Sequence, residues 1–481
     1  MDYALLIDRY AQAHAVAGWP RQRLLHACLR EAIRSGLLAP GTRLQASRAL
    51  AQELGMARNT VLYAYDQLAT EGYVLAERRG TLVAPVRAAA SPARNAAPAA
   101  LSRRAAALDG MRAPELATSG FAPGVPALDE FPLAVWRRLL ERALREGGGA
   151  GLGYGDPAGE AALRDAIAGH LRATRGADCA ADQVIITAGT QSSLDLCARA
   201  FADAGDKVWI ENPGYSGAFA AFRGAQLKPV GIATDGQGIN PASADWRRHR
   251  PRLIYTTPSH QYPTGSVLSL ERRLDLIARA RAAGALIIED DYDSEFRHDG
   301  PPLPAMQGLE ADAPVIYLGT FSKTMFPALR IGFLVVPRAL AAPVHGLLAR
   351  SAHAGRGAEQ RALAVFLRDG QFALHLRRMR RLYRQRRDAL VAALETQLAD
   401  LGSVHGGSAG MHLAFQLHDA RSDDQALAQR ARAAGIVAPA LSAHATGPRA
   451  NGWNGFLLGY AQLPAADIDG LVRRLARVLR G

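Results

Sequence analysis

Val315-Ile-Tyr-Leu-Gly-Thr320-Phe-Ser-Lys323-Thr-Met-Phe-Pro-Ala-Leu-Arg330 is the stretch on which the reading of this chain turns. A strand-like apolar run leads directly into a lysine. Among 57 Lys and Arg residues only Lys207, Lys228 and Lys323 are lysines. A sequence that writes nearly every other cation as Arg has kept an amine here. Both side chains carry charge, but only a deprotonated Lys amine forms a Schiff base with an aldehyde.

Outward from Lys323, the strand-like run Ala285-Leu-Ile-Ile ends in Glu289-Asp290-Asp291-Tyr292. Carboxylates at the C-terminal edge of a parallel sheet lie where α/β folds bind ligands. An Asp there can keep a pyridine nitrogen protonated, and Tyr292, two residues on, can reach the same side; the alternative is a solvated acidic turn. Ala188-Gly189-Thr190-Gln191-Ser192 joins the run Val184–Thr187 to a helix predicted from about Ser193, and can cradle a phosphate at its N-terminus. Arg330 and Thr320 can add phosphate contacts, and Tyr215, in Glu211-Asn-Pro-Gly-Tyr, offers a ring to stack. The further runs Lys207-Val-Trp-Ile and Arg252-Leu-Ile-Tyr alternate with helices, so the fold class is α/β with a mostly parallel sheet. Beyond about Leu340 a long Arg-rich helix, then Met411-His-Leu-Ala-Phe and Phe456-Leu-Leu-Gly-Tyr, read as a smaller α+β domain.

The N-terminal part has another texture. Leu25, Cys28, Leu29 and Ala32 follow helical spacing, and Ser47 is expected to cap a second helix carrying Leu50 and Leu54. Val61, Ala64, Tyr65 and Leu68 face a third, and Tyr73 to Val83 reads as two strands around a basic tip. Helix, helix, tight turn, helix and hairpin is a winged helix-turn-helix. Arg58, Asn59 and Thr60 open the expected recognition helix, toward base edges and phosphates. Arg43 and Arg48 suit backbone phosphates, and Arg78 and Arg79 put charge at the wing tip. Residues 85–112 are Ala, Pro, Arg and Ser with almost no large apolar side chain, and read as a flexible linker reaching about 30 Å. The expected domains are therefore 1–84, a linker 85–112, and 113–481.

Charge follows this division: of a net +13, residues 1–112 hold +7, with 15 Arg against 8 acidic residues. Concentrated positive charge suits a polyanionic partner. At 49% hydrophobic residues the chain can bury cores. No apolar run approaches the ~20 residues of a membrane span. Cys28, Cys179 and Cys197 show no metal-ligand spacing and no evident pairing; a reducing cytoplasm fits, and no metal site is expected.

Residues 121–481 resemble the fold-type I aminotransferases, which bind pyridoxal 5′-phosphate (PLP). The resemblance rests on Tyr154-Gly-Asp-Pro-Ala-Gly, Thr187-Ala-Gly-Thr-Gln, Glu211-Asn-Pro-Gly-Tyr, Pro258-Ser-His-Gln-Tyr-Pro-Thr-Gly, Asp290-Asp-Tyr-Asp-Ser-Glu-Phe and Gly319-Thr-Phe-Ser-Lys. Residues 20–84 resemble a GntR-type winged helix, in Gly36-Leu-Leu-Ala-Pro-Gly-Thr-Arg-Leu, Ser47-Arg-Ala-Leu-Ala, Arg58-Asn-Thr-Val and Leu68-Ala-Thr-Glu-Gly-Tyr. That order, with a linker between, is similar to the MocR-like bacterial transcription regulators. The resemblance implies Lys323 as the residue that bonds the PLP aldehyde, and as catalytic lysine in any enzyme form. It further implies Asp290 at the ring nitrogen, Tyr292 at the ring O3′, Tyr215 stacked on the ring, and Gly189, Thr190, Thr320 and Arg330 on the phosphate. It implies a homodimer, with Tyr154 reaching the phosphate of the other subunit. The implied partners are a double-stranded DNA operator and a small effector: PLP, an amino acid or an amine.

Two departures stand out. Tyr262 precedes Pro263-Thr-Gly265 where many aminotransferases have an Asn touching the cofactor, with His260 either compensating or only packing. The run Asn454-Gly455-Phe-Leu-Leu-Gly offers no Arg where family members anchor a substrate carboxylate; Arg449 is either that anchor or a loop cation. The expectation is a PLP-dependent regulator with little or no catalytic activity. The alternative is a working aminotransferase with an appended winged helix.

Overall fold

The computed structural model describes residues 2–14, 16–78, 80–85, 100–109, 120–351, 355–446 and 452–481. The chain falls into two compact units, Met1–Ala100 and Leu101–Gly481.

The first unit holds α1 (Tyr3–Ala13), α2 (Arg21–Arg34), α3 (Ser47–Glu53), α4 (Arg58–Thr70) and a hairpin of β1 (Val74–Glu77) and β2 (Gly80–Val83). Its core is built from the apolar faces expected of α2 and α4: Leu25, Cys28, Leu29, Ala32, Val61, Ala64, Tyr65 and Leu68 are all buried. Two features differ from the sequence reading. Helix α1 is not among the expected elements; Asp2 caps it by accepting from Leu5 N, and Tyr3 and Ile7 bury its inner face. Ser47 is not the cap of α3 but its first helical residue, with Ala46 in the cap position. Its hydroxyl accepts instead from Arg58 Nε at 3.5 Å.

The second unit opens with α5 (Arg103–Asp109), inside the stretch read as linker. The helix forms because Leu108 finds an apolar seat against Gly224, a long-range contact that composition does not reveal. After α6 (Leu133–Gly147) and α7 (Ala161–Arg175), the main sheet is laid down by β3 (Val184–Thr187), β4 (Lys207–Asn212), β5 (Lys228–Asp235), β6 (Gly238–Ile239), β7 (Leu253–Thr256), β8 (Leu286–Asp291), β9 (Val315–Thr320) and β10 (Gly332–Val335). Between them run α8 (Thr190–Phe201), α9 (Ser216–Gly224), α10 (Ser243–Arg248) and α11 (Leu270–Ala283). The strand order is β3-β10-β9-β8-β7-β4-β5-β6. Neighbours β9-β8-β7-β4-β5 are parallel; β10 runs against both β3 and β9. The central strands are buried on both faces, as their unbroken Val, Ile and Leu runs require.

Helices α12 (Arg338–Ser351), α13 (Gly357–Arg368) and α14 (Gln371–Leu398) lead to a three-stranded antiparallel sheet, β11 (Gly402–His405), β12 (His412–Leu417) and β13 (Gly455–Gly459), joined by α15 (Asp424–Ala433) and α16 (Ala465–Arg480). Helix α14, of 28 residues, is about 42 Å long at 1.5 Å per residue. No described helix is long and apolar enough to cross a membrane. All three cysteines are free and buried.

Candidate functional site

Because β3, β9, β8, β7 and β4 run the same way, their C-terminal ends share one edge, the usual binding edge of such sheets. From β9 the chain turns through Thr320-Phe-Ser to Lys323. Its Nζ donates to Gly124 O at 2.7 Å. Burial lowers the Lys323 pKa from its ordinary value, Arg330 lowers it further, and Asp293 and Asp290 work the other way. An amine eased toward its neutral form is the nucleophile that an aldehyde needs.

Asp290 sits near the end of β8, within the strand. Its Oδ2 accepts from Tyr255 Oη at 2.7 Å, whereas its Oδ1 is buried without a partner. Burial pushes its pKa up to about 7, against the Tyr255 hydrogen bond, which lowers it. A buried carboxylate oxygen left unmatched costs free energy unless a donor meets it. A protonated ring nitrogen is such a donor, so this residue fits PLP. In the sequence Tyr255 stands out only as the end of the strand-like run Arg252-Leu-Ile-Tyr, not as a site residue. Its signal lies in register: Tyr255 pairs with Ile288, two residues short of Asp290 on the neighbouring strand, so both side chains share one face.

At the end of β3, Gly189 has φ 92°, and a Cβ there would lie 3.4 Å from Arg330 Cζ. Arg330 itself holds a left-handed conformation with φ 49°, at a cost of about 1–2 kcal/mol for a side-chain-bearing residue. Gly189 and Arg330 thus bring a guanidinium to the N-terminus of α8, whose first residue is Thr190. The helix starts three residues earlier than expected. Thr320 donates to Ser322 Oγ at 3.1 Å. Helix N-terminus and guanidinium together are a setting for phosphate. Tyr215 holds the cap position of α9 and accepts from Gln191 Nε2 at 3.0 Å. Tyr292 Oη donates to His260 O at 3.0 Å. Tyr154 stands at the surface, 90% exposed. Arg449 lies outside the described residues.

His260, Asp293 and His412 also meet, buried, with their ligand-type atoms within 4.8 Å of one another. His260 Nδ1 is 3.1 Å from Asp293 Oδ2, the spacing of a hydrogen bond within the cluster.

In the first unit, Arg58 and Asn59 are exposed and Thr60 half-buried at the start of α4, and Arg48 is exposed on α3. Ala57, in the cap position of α4, makes no side-chain cap. Arg43 bridges to Leu82, and its aliphatic stem passes Gly80. It therefore joins the wing, on which Arg78 is also exposed. Arg79 lies outside the described residues.

The sequence profile of aminotransferase class I and II matches residues 120–475, and that of bacterial regulatory proteins of the gntR family matches residues 23–83. The chain is 42% identical over 431 residues to the probable rhizopine catabolism regulatory protein MocR of Rhizobium meliloti, covering 87% of this chain and 85% of that one. It is 34% identical to the HTH-type pyridoxine biosynthesis transcriptional regulator PdxR of Corynebacterium glutamicum, over 78% of this chain and 80% of that one. Among solved structures it resembles LysN, the alpha-aminoadipate aminotransferase of Thermus thermophilus, complexed with N-(5′-phosphopyridoxyl)-L-leucine. There the TM-score is 0.67 at 32% identity, over 75% of this chain and 92% of that one. A gntR-family head and a class I and II aminotransferase body in one polypeptide place this chain in the MocR-like family of regulators.

Proposed function

We propose that this chain is a PLP-dependent transcription regulator: a cytoplasmic homodimer that binds a double-stranded DNA operator through residues 1–84 and senses PLP, an amino acid or an amine through its aminotransferase-like body. The observation that carries this reading is Lys323 beside the half-satisfied Asp290, in a chain that also holds a winged helix-turn-helix. PLP supplies an aldehyde for a lysine amine and an electron-withdrawing ring. Lys323 would present the amine, Asp290 would keep the ring nitrogen protonated through its unmatched Oδ1, and Tyr292 would meet the ring O3′. Tyr215 covers a ring face. Gly189, Thr190, Thr320 and Arg330 bind the phosphate, and Tyr154 reaches the site of the second subunit. On the DNA, Arg58, Asn59 and Thr60 read the major groove; Arg43, Arg48, Arg78 and Arg79 hold phosphates.

Sensing needs only a ligand affinity that differs between two states of the protein. Turnover also needs a substrate held with its α-hydrogen aligned, which a weak carboxylate anchor impairs. The complete set of Lys323, Asp290 and Arg330 favours a second reading, a working aminotransferase with an added head. The deciding experiment uses DNA selected in vitro from a random library for binding to the full-length protein. PLP or a small amine is expected to change its affinity, with slow or absent transamination. Multiple turnover at ordinary enzyme rates, with DNA affinity indifferent to every ligand, decides for the aminotransferase.

A further inference from the structure

The small sheet turns one face toward the cofactor site. On β12 and β13, Leu413, Phe415, Phe456 and Leu458 belong to the main core of the second unit. The alternate residues, Ala414 and its partner Leu457, gather with Leu441 in a separate apolar group against Tyr262 and Trp453. His412, two residues before Ala414, shares that face by the period of the strand. The Tyr262 ring joins this wall to the site. It stands edge-on to Tyr215 at 5.6 Å and to Tyr292 at 6.1 Å between centroids, and to His412 at 5.5 Å. The residue of β13 that looks toward the site is thus Leu457, while Phe456 faces the core.

Burial, reinforced by His260, His444 and Lys323, holds the His412 pKa well below the ordinary imidazole range. His412 Nε2 and His260 Nε2 are both buried without a hydrogen-bond partner. Asp290 and Asp293 act on Lys323, and the cation acting on it, Arg330, lies against Gly189 on the other flank. A ligand carboxylate set against Leu457, Tyr262 and the neutral His412 imidazole meets no cation among those three side chains, and burying it there is costly. An amine with an apolar or aromatic body meets the apolar wall with its body and the acidic groups with its nitrogen.

We propose that the effector is a small amine with an apolar or aromatic body and no carboxylate, selected by Leu457, Tyr262 and His412. This rests on the reading of the chain as a PLP-dependent sensor. The test is an absorbance titration of the full-length, PLP-loaded protein with matched pairs, phenethylamine against phenylalanine and tyramine against tyrosine. The amine is expected to reach half-effect at a concentration at least about tenfold lower than its amino acid. Leu457→Arg, which puts a cation in the wall, is expected to shift the preference toward the amino acid. If the variant does not fold, the wild-type pairs alone decide. An amino acid equal to or better than its amine in the wild type overturns the inference and leaves the sensor reading standing; its loss in Arg449→Ala would assign the carboxylate to that arginine. A protein that takes up no PLP defeats the sensor reading itself, and the inference with it.

Discussion

Asp290 keeps one oxygen on Tyr255 and the other unmatched, and its burial gives the PLP-free protein a pH signature. Its folded-state pKa, pushed up to about 7, lies above the unfolded value of about 3.9. Between those values the folded chain holds a proton that the unfolded chain releases. The Asp290 contribution to stability is therefore full below the lower value and is lost as pH rises through the upper one. Urea unfolding of the PLP-free protein from pH 4 to 8 is expected to show this decline. Burial also pushes Glu289 and Glu295 up to about 7, and both add to it in the same direction. Asp290→Asn is expected to make the decline shallower, and an unchanged slope would mean that Asp290 does not titrate in this window. With PLP, Lys323→Ala is expected to remain folded and lose the absorbance of the lysine-bound cofactor, whereas Lys207→Ala and Lys228→Ala keep it. Lys323 and Asp290 are legible in the sequence because their residue types and places after apolar runs announce their chemistry. Tyr255, Gly124, His412 and Leu457 are not, because their roles come from partners far along the chain.

At the scale of elements, the proposed function divides the work on DNA between Arg58 of α4, at base edges, and Arg48 of α3, at phosphates. Arg58 leads α4 and is steadied by Ser47 of α3. Arg58→Ala is expected to cost about 1–3 kcal/mol on the preferred sequence and to relax specificity there, as for a base-reading Arg. Arg48→Ala is expected to weaken all sequences alike and to make the plot of log affinity against log salt shallower. Binding isotherms at several salt concentrations, on selected and scrambled DNA, separate the two. The strands that end at the site can be read because each contains a short apolar run of Val, Ile, Leu and aromatic residues. Strand β10 escapes, since Gly332-Phe-Leu-Val follows closely on the turn after Lys323 and runs against its neighbours without an intervening α-helix. Helix α1 is readable in principle: Tyr3, Leu6, Ile7 and Tyr10 follow helical spacing behind a capping Asp2. Helix α5 is not, because a short Ala-rich segment becomes a helix only where Leu108 finds its seat on α9.

At the scale of the molecule, the division into two units predicts separable activities. A fragment of residues 101–481 is expected to take up PLP and to lack specific DNA binding; operator binding by that fragment would contradict the assignment of the head. A fragment starting at residue 113 lacks α5 and is expected to melt at a lower temperature. Within the second unit, the segment near Phe121 ties distant parts together. Phe121 exchanges backbone hydrogen bonds with Val437 and Gly459, and Gly124 O takes Lys323 Nζ.

The buried thiols offer a practical route to the geometry between the two units. Burial pushes Cys28 up to about 12 and Cys179 up to about 11, and raises Cys197 as well. Thiolate is the form that attacks a maleimide, and at neutral pH these three side chains supply almost none of it. A cysteine introduced at exposed Ala76 and another at exposed Ala392 can therefore be labelled against a silent native background. A fluorophore pair at those two positions would turn ligand binding in the body into a measured distance to the head.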